Sequence, residues 1–240
     1  MSFPVTRHSV VRELASADPA VRTAAYDALA RSYWRPVYLY IRLRGSRQAE
    51  DARDLTQEFF TRAFEREYLE RYDAARARFR TFIRICLDGF LANERLAESR
   101  QKRGGGVPLV PIDLAAADVE LATRAAAAPD DPEAWFHREW IRGLFAEALR
   151  TLEGRAADAG HPRAFAVFRR YDVEEADASP HTTYAALAAE LGMRVTDVTN
   201  ELAWARRAFR EIVLDTLRQI CASDDEFRAE ARDLFGVTPE

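Results

Sequence analysis

Apolar residues recur at helical spacing along almost the whole chain, and the recurrence is broken decisively at Gly104-Gly105-Gly106. That pattern predicts an all-α protein. Val21–Leu43 carries Ala25, Leu29, Trp34, Val37, Tyr38 and Ile41 as one stripe ending at Gly45, with Pro36 expected to bend or split the helix. Ala49–Phe64 turns Ala52, Leu55, Phe59, Ala63 and Phe64 inward and leaves Asp51, Asp54, Gln57 and Glu58 largely on the other side. Phe79–Leu96 is a long apolar helix that runs into Arg100-Gln101-Lys102-Arg103. Beyond the glycines, Pro108, Pro111, Pro129 and Pro132 and a concentration of acids make residues 104–134 too long for a connection inside one domain, so they read as a linker. Two helical domains, 1–103 and 135–240, are therefore expected.

The second domain carries the most informative local chemistry. Trp135–Leu152 regains the helical period, with Gly154 and Gly160 marking its end, and a short helix is expected over His161–Tyr171. An acidic loop, Val173–His181, follows. Thr182 and Thr183 are cap residues for a short helix, Tyr184–Leu191, that stops at Gly192; Thr196 is a second cap, for a long helix from Asp197 to about Ile220. Short helix, glycine turn and second helix form a helix-turn-helix pattern. A last helix is expected over Asp225–Leu234.

With 240 residues, 48% of them hydrophobic, the chain has the apolar content for a core. No apolar run approaches the ~20 residues of a membrane span, and the N-terminus lacks the layout of an export signal, so a soluble cytoplasmic protein is expected. Cys86 and Cys221 fit reduced thiols in a helical core. The net charge of -4 conceals a segmentation: residues 1–103 sum to +6, while 104–134 and 135–240 sum to -5 each. Binding of nucleic acid depends on where charge sits, and Arg76–Arg103 is strongly basic.

Little in the sequence suggests catalysis. His8, His137, His161 and His181 are scattered, no Cys/His cluster exists, and neither a phosphate-cradling glycine loop nor a nucleophile elbow is present. Glu174/Glu175 and Asp224/Asp225 read as solvated turn carboxylates. No catalytic residue, metal ligand or cofactor is expected.

Three segments carry a resemblance: Ala49–Phe60 (AEDARDLTQEFF), Phe79–Ile83 (FRTFI), and Leu191-Gly192-Met193 opening the second helix of the helix-turn-helix. In this order and spacing, with the separating linker, they resemble bacterial RNA polymerase sigma factors of the extracytoplasmic-function (ECF) group. Thr6–Val10, Gln101–Gly106 and Phe227–Arg232 look like one branch of it, so the resemblance covers nearly the whole chain.

The resemblance implies a sigma region 2-like helical domain, an acidic linker and a region 4-like helix-turn-helix domain with a C-terminal extension. Its partners would be core RNA polymerase and promoter DNA, with an anti-sigma factor as a further candidate. Asp54, Gln57 and Glu58, with Asp51 nearby, would dock on the polymerase clamp helices. Arg76, Arg78, Arg80 and Arg84 would neutralise phosphates of the melted minus-10 strand, and Phe79 and Phe82 would either face bases or lie in the core. Phe82 stands where many relatives have Trp. Asn93 and Arg95 are candidates for upstream contacts. The linker would either thread the polymerase cleft as a nucleic-acid mimic or serve as a plain tether. The helix-turn-helix would read the minus-35 element through Arg194, Thr196, Thr199, Asn200, Arg206 and Arg207. It departs from the family at Thr199, Glu201 and Trp204, where relatives commonly carry Lys or Arg. The alternative reading is a helix-turn-helix regulator that binds DNA without core polymerase.

Overall fold

The computed structural model describes residues 10–14, 16–45, 48–65, 69, 72–73, 75–98, 131–175 and 182–236. These residues are predominantly helical, with no strand among them. The helices are α1 (Val10–Glu13), α2 (Pro19–Gly45), α3 (Ala49–Glu65), α4 (Phe79–Glu98) and α5 (Pro132–Asp158). There follow α6 (Ala164–Phe168), continued by a π-helical turn (Arg169–Val173), α7 (Tyr184–Leu191), α8 (Val195–Ile220) and α9 (Asp224–Phe235). No described helix is long and apolar enough to cross a membrane.

The chain divides into two compact units. One takes the described residues up to Gly143 together with those from Leu217 onward; the other is Leu144–Thr216. This grouping differs from the 135–240 segment expected as the second domain. The first turns of α5 and all of α9 belong with the N-terminal helices, because they bring side chains that those helices need. Phe136 and Trp140 of α5 pack near Tyr40 and Tyr33 of α2, at ring-centroid distances of 5.7 and 6.4 Å. The acidic edge of α9 meets the basic start of α4.

The core of this unit is aromatic. Trp34 stacks on Phe60 at 5.6 Å, Phe59 meets Phe90 edge-on at 5.7 Å, and Phe79 meets Tyr33 edge-on at 5.8 Å. Burying one such side chain contributes about 1.5–3 kcal/mol. Helix α2 is continuous through Pro36, so the expected split does not occur. Pro36 has no N–H to offer Ser32, but Tyr33, Trp34, Val37 and Tyr38 around it are all buried, and their packing holds the helix across the missing bond.

Residues 104–130 of the expected linker lie outside the described residues. Its end does not: Asp131 caps α5, its Oδ1 accepting the N–H groups of Glu133 (2.9 Å) and Ala134 (3.1 Å), with Pro132 in the first turn. The helix therefore begins before Trp135, and it also runs through Gly154.

The second unit has its core at Leu152, Ala164, Val167, Leu187, Val198, Leu202 and Val213. Thr183 caps α7, its Oγ1 accepting the Ala186 N–H at 3.2 Å. Gly192 ends the helix in the left-handed region (φ +62°), which lets the Met193 N–H return to the Ala188 carbonyl at 2.9 Å. The turn chemistry read from sequence holds here. Thr196, however, lies in the first turn of α8 instead of capping it, because Arg194 and Asp197 close that turn with a bidentate pair at 2.7 and 2.8 Å.

Candidate nucleic-acid interface

Helix α3 presents its carboxylates as its periodicity requires. Asp51 and Asp54 are exposed, and Gln57 and Glu58 are half-buried beside them. Glu58 pairs with Arg62 one turn on, and Arg62 also donates to Glu94 of α4 at 2.7 Å and lies over the Phe90 ring at 5.2 Å. The two carboxylates outweigh the desolvation of Arg62 and raise its pKa, so it stays charged. Arg62 thereby ties α3 to α4, with Glu58 as the one residue of the acidic face that it engages.

At the start of α4 the expected minus-10 residues fall into two groups. Arg76 is 86% exposed, with Asp73 at 3.3 Å; Asn93 and Arg95 are exposed farther along, and Arg95 donates to the Arg44 carbonyl at 2.6 Å. The rest are covered. Phe79 is fully buried, as the core alternative for that ring has it. Phe82 is half-buried against Tyr72 and Phe79, at 5.3 and 6.2 Å. Arg80 is buried with its Nε 2.6 Å from Glu230, and Arg78 donates to Asp233 at 2.5 Å with Glu230 at 3.4 Å. Arg84 lies between Asp88 (2.5 Å) and Glu133 of α5 (3.3 Å), and Thr81 donates to Glu133 at 2.7 Å.

The Phe79 N–H, at the N-terminus of α4, donates to Glu226 at 2.5 Å, and the Tyr72 hydroxyl approaches the same carboxylate at 3.4 Å. Burial raises the pKa of both Glu226 and Tyr72. His137 lies 3.9 Å from Glu230 and its pKa is lowered, first by burial and then by the nearby Arg80. Tyr72, Glu226, Glu230 and Asp233 are not singled out by the sequence, which reads His137 only as one of four scattered histidines. The signal was present: Glu226, Glu230 and Asp233 recur at one-turn spacing on α9, an acidic edge matching a basic cluster.

In the helix-turn-helix, Thr196 and Asn200 are exposed and Thr199 is half-buried, its hydroxyl donating to the Thr196 carbonyl at 2.8 Å. Arg194 is 82% exposed but paired with Asp197. Arg206 forms a bidentate pair with Asp172 at 2.7 and 2.9 Å and lies over the Tyr171 ring. Arg207 is exposed, and among the described residues it has no carboxylate partner. Glu201 and Trp204, two of the three departures from the sigma-factor pattern, engage His161: Glu201 at 3.0 Å from its Nδ1, and Trp204 stacked on its ring at 4.5 Å. Glu175, expected in a solvated turn, is buried and accepts from Thr182 and Arg170.

Burial pushes the Cys86 thiol up to about 11 and raises Cys221 further, so neither is a thiolate near neutral pH. Among the described residues no group of three or more His, Cys, Asp or Glu side chains is placed to hold a metal ion. Comparison of the chain with protein-family models, with curated proteins and with solved structures finds no match.

Proposed function

We propose that the chain is an ECF-type sigma factor, a cytoplasmic two-domain protein that binds core RNA polymerase and directs promoter recognition, melting and initiation without covalent chemistry of its own. In this reading the carboxylate face of α3 docks on the clamp helices, the start of α4 takes the melted minus-10 strand, the linker joins the domains, and α7–α8 reads the minus-35 element. The observation that carries it is the Arg62 bridge. It ties α3, which carries the acidic face, to the helix bearing the arginine–aromatic cluster, which supports the reading of the proposed docking and strand-binding surfaces as parts of one packed unit. With Arg194 and Arg206 already paired, the minus-35 contact in this reading is made mainly by Thr196, Thr199, Asn200 and Arg207.

A helix-turn-helix regulator working without core polymerase is the second reading. It is favoured by one fact: Thr196, Asn200 and Arg207 are exposed, while Phe79 and Arg80 are covered. Pull-down of core polymerase by the parent and by Asp54→Arg/Glu58→Arg separates the two. Capture by the parent and loss in a variant that stays folded by circular dichroism supports the sigma reading. No capture by the folded parent, where a known sigma factor is captured, selects the regulator.

A further inference from the structure

The start of α4 is built as an anion site, and the protein fills it from its own far end. Three donors converge there, the Phe79 N–H and the guanidinium groups of Arg78 and Arg80, while the Tyr72 hydroxyl, which donates to the Ala77 carbonyl at 2.9 Å, lies 3.4 Å from Glu226. A helix N-terminus flanked by arginines favours a phosphate. Its occupants are instead three carboxylates from one edge of α9. Glu226 takes the Phe79 N–H at 2.5 Å, Glu230 takes Arg80 at 2.6 Å, and Asp233 takes Arg78 at 2.5 Å. From Glu226 to Asp233 the helix rises about 10 Å. Over that length the acidic edge presents three carboxylates to the cluster, a run of negative charge such as a nucleic-acid strand also carries.

The fit of α9 is incomplete. Glu230 is 1% exposed, and its Oε2 has no hydrogen-bond partner; neither has His137 Nε2, 3.9 Å away. A buried polar atom left unpaired costs stability that a better-matched occupant would not lose. Glu226 is itself held where burial disfavours its charge. Phe227 and Ala231 are buried, Arg218 lies over the Phe227 ring at 4.4 Å, and Arg12 holds the Ala222 carbonyl at 3.2 Å. Between α8 and α9 only Cys221-Ala222-Ser223 intervene, and the Ala222 N–H there donates to Glu226 at 2.8 Å.

We infer that α9 is an autoinhibitory helix whose Glu226–Glu230–Asp233 edge occupies the strand-binding cluster of α4 and is displaced by a single nucleic-acid strand. The inference rests on the sigma reading for the identity of that strand, a melted promoter segment delivered on polymerase. Affinity for the strand is reduced by the fraction of molecules in which α9 has left. Removing the three charges raises that fraction.

The test uses the full chain. Binding of a fluorescein-labelled single-stranded DNA on the order of 15 nucleotides is followed by anisotropy for the parent, for Glu226→Gln/Glu230→Gln/Asp233→Asn, and for Asp233→Asn alone, the mildest change. The triple variant is expected to bind about tenfold or more tightly than the parent, with a steeper salt dependence, and Asp233→Asn to shift the same way by a smaller factor. Hydrogen exchange on the parent supplies a readout free of folding defects: saturating single strand should speed exchange of the α9 amides and slow that at the start of α4. Unchanged affinity in the folded variants, or α9 amides that stay protected in the DNA complex, would overturn the inference and make α9 a structural helix. Core pull-down of the same proteins keeps the two claims separate. Loss of core capture by the parent removes the sigma reading, whereas unchanged strand affinity with intact capture removes only the autoinhibition.

Discussion

Arg62 and Glu94 meet at 2.7 Å across the interface of α3 and α4, and the same guanidinium covers Phe90 and pairs with Glu58. Its side chain is 30% exposed, so solvent screens the ion pairs and the aliphatic stem carries part of the effect. Arg62→Ala is expected to lower stability by about 1–2 kcal/mol, read from urea unfolding. The loss should be smaller in 1 M salt than at low ionic strength. A variant as stable as the parent would show that α3 and α4 are held by their aromatic contacts alone.

Two glycines in the second unit should respond oppositely to alanine. Gly154 is inside α5, and an added Cβ there meets no atom within 4 Å, so Gly154→Ala removes backbone entropy at no steric cost. A gain of about 0.5–1 kcal/mol is expected. Gly192 also has open space, but its φ of +62° is the left-handed conformation that ends α7. Gly192→Ala should cost about 1–2 kcal/mol. Thermal unfolding of the two variants beside the parent checks both signs, and a stabilised Gly192→Ala would contradict the capping role.

These contrasts follow what was legible in the sequence. Thr183, Gly192 and the periodic stripes of α3 and α4 act within a turn or two of themselves, so their residue types announce the structure. The path through Pro36 was not legible, because what holds α2 together there is burial of Tyr33, Trp34 and Val37 by distant elements. The pairing of Arg80 with Glu230 was hidden more deeply: the partners stand 150 positions apart, and neither segment alone shows that its charge will be met. The same holds for Glu201, whose partner His161 lies 40 positions away. An unfavourable charge in a linear alignment became, in the fold, one side of a contact beneath Trp204.

The arginines of the helix-turn-helix are mostly neutralised by their own carboxylates, and that is reversible by mutation. Asp172 holds Arg206 in a bidentate pair, and its hydrogen bonds raise the Arg206 pKa. Asp172→Asn frees the guanidinium for a phosphate. Duplex DNA binding by the isolated protein should then strengthen, and the slope of log K against log salt should steepen by about 0.9, the value for one added phosphate contact. Anisotropy titrations at several salt concentrations read both quantities. A stronger affinity with an unchanged slope would mean that the substitution acts other than through a phosphate.

Acid should loosen the entrance to the helix-turn-helix at one carboxylate. Glu175 takes the Thr182 N–H at 2.9 Å and the Thr182 hydroxyl at 2.5 Å, and it pairs with Arg170. Thr182 immediately precedes Thr183, the cap of α7, so the carboxylate fastens the chain just before that helix begins. The hydrogen bonds from Thr182, and then the Arg170 guanidinium, bring the Glu175 pKa down from an ordinary 4.5 to about 2. A folded pKa below the unfolded one means that the ionised group stabilises the fold fully above pH 4.5. That contribution is lost progressively as pH falls from 4.5 toward 2. Glu175→Gln keeps an acceptor but not the charge, so it should be less stable than the parent at pH 7, with the difference shrinking through this acid range. The carboxyl carbon of Glu175, followed by NMR, should titrate with a midpoint well below that of a free glutamate. A midpoint at the ordinary value would show that Thr182 and Arg170 do not hold the charged form in solution, and the stability difference between parent and variant should then be independent of pH.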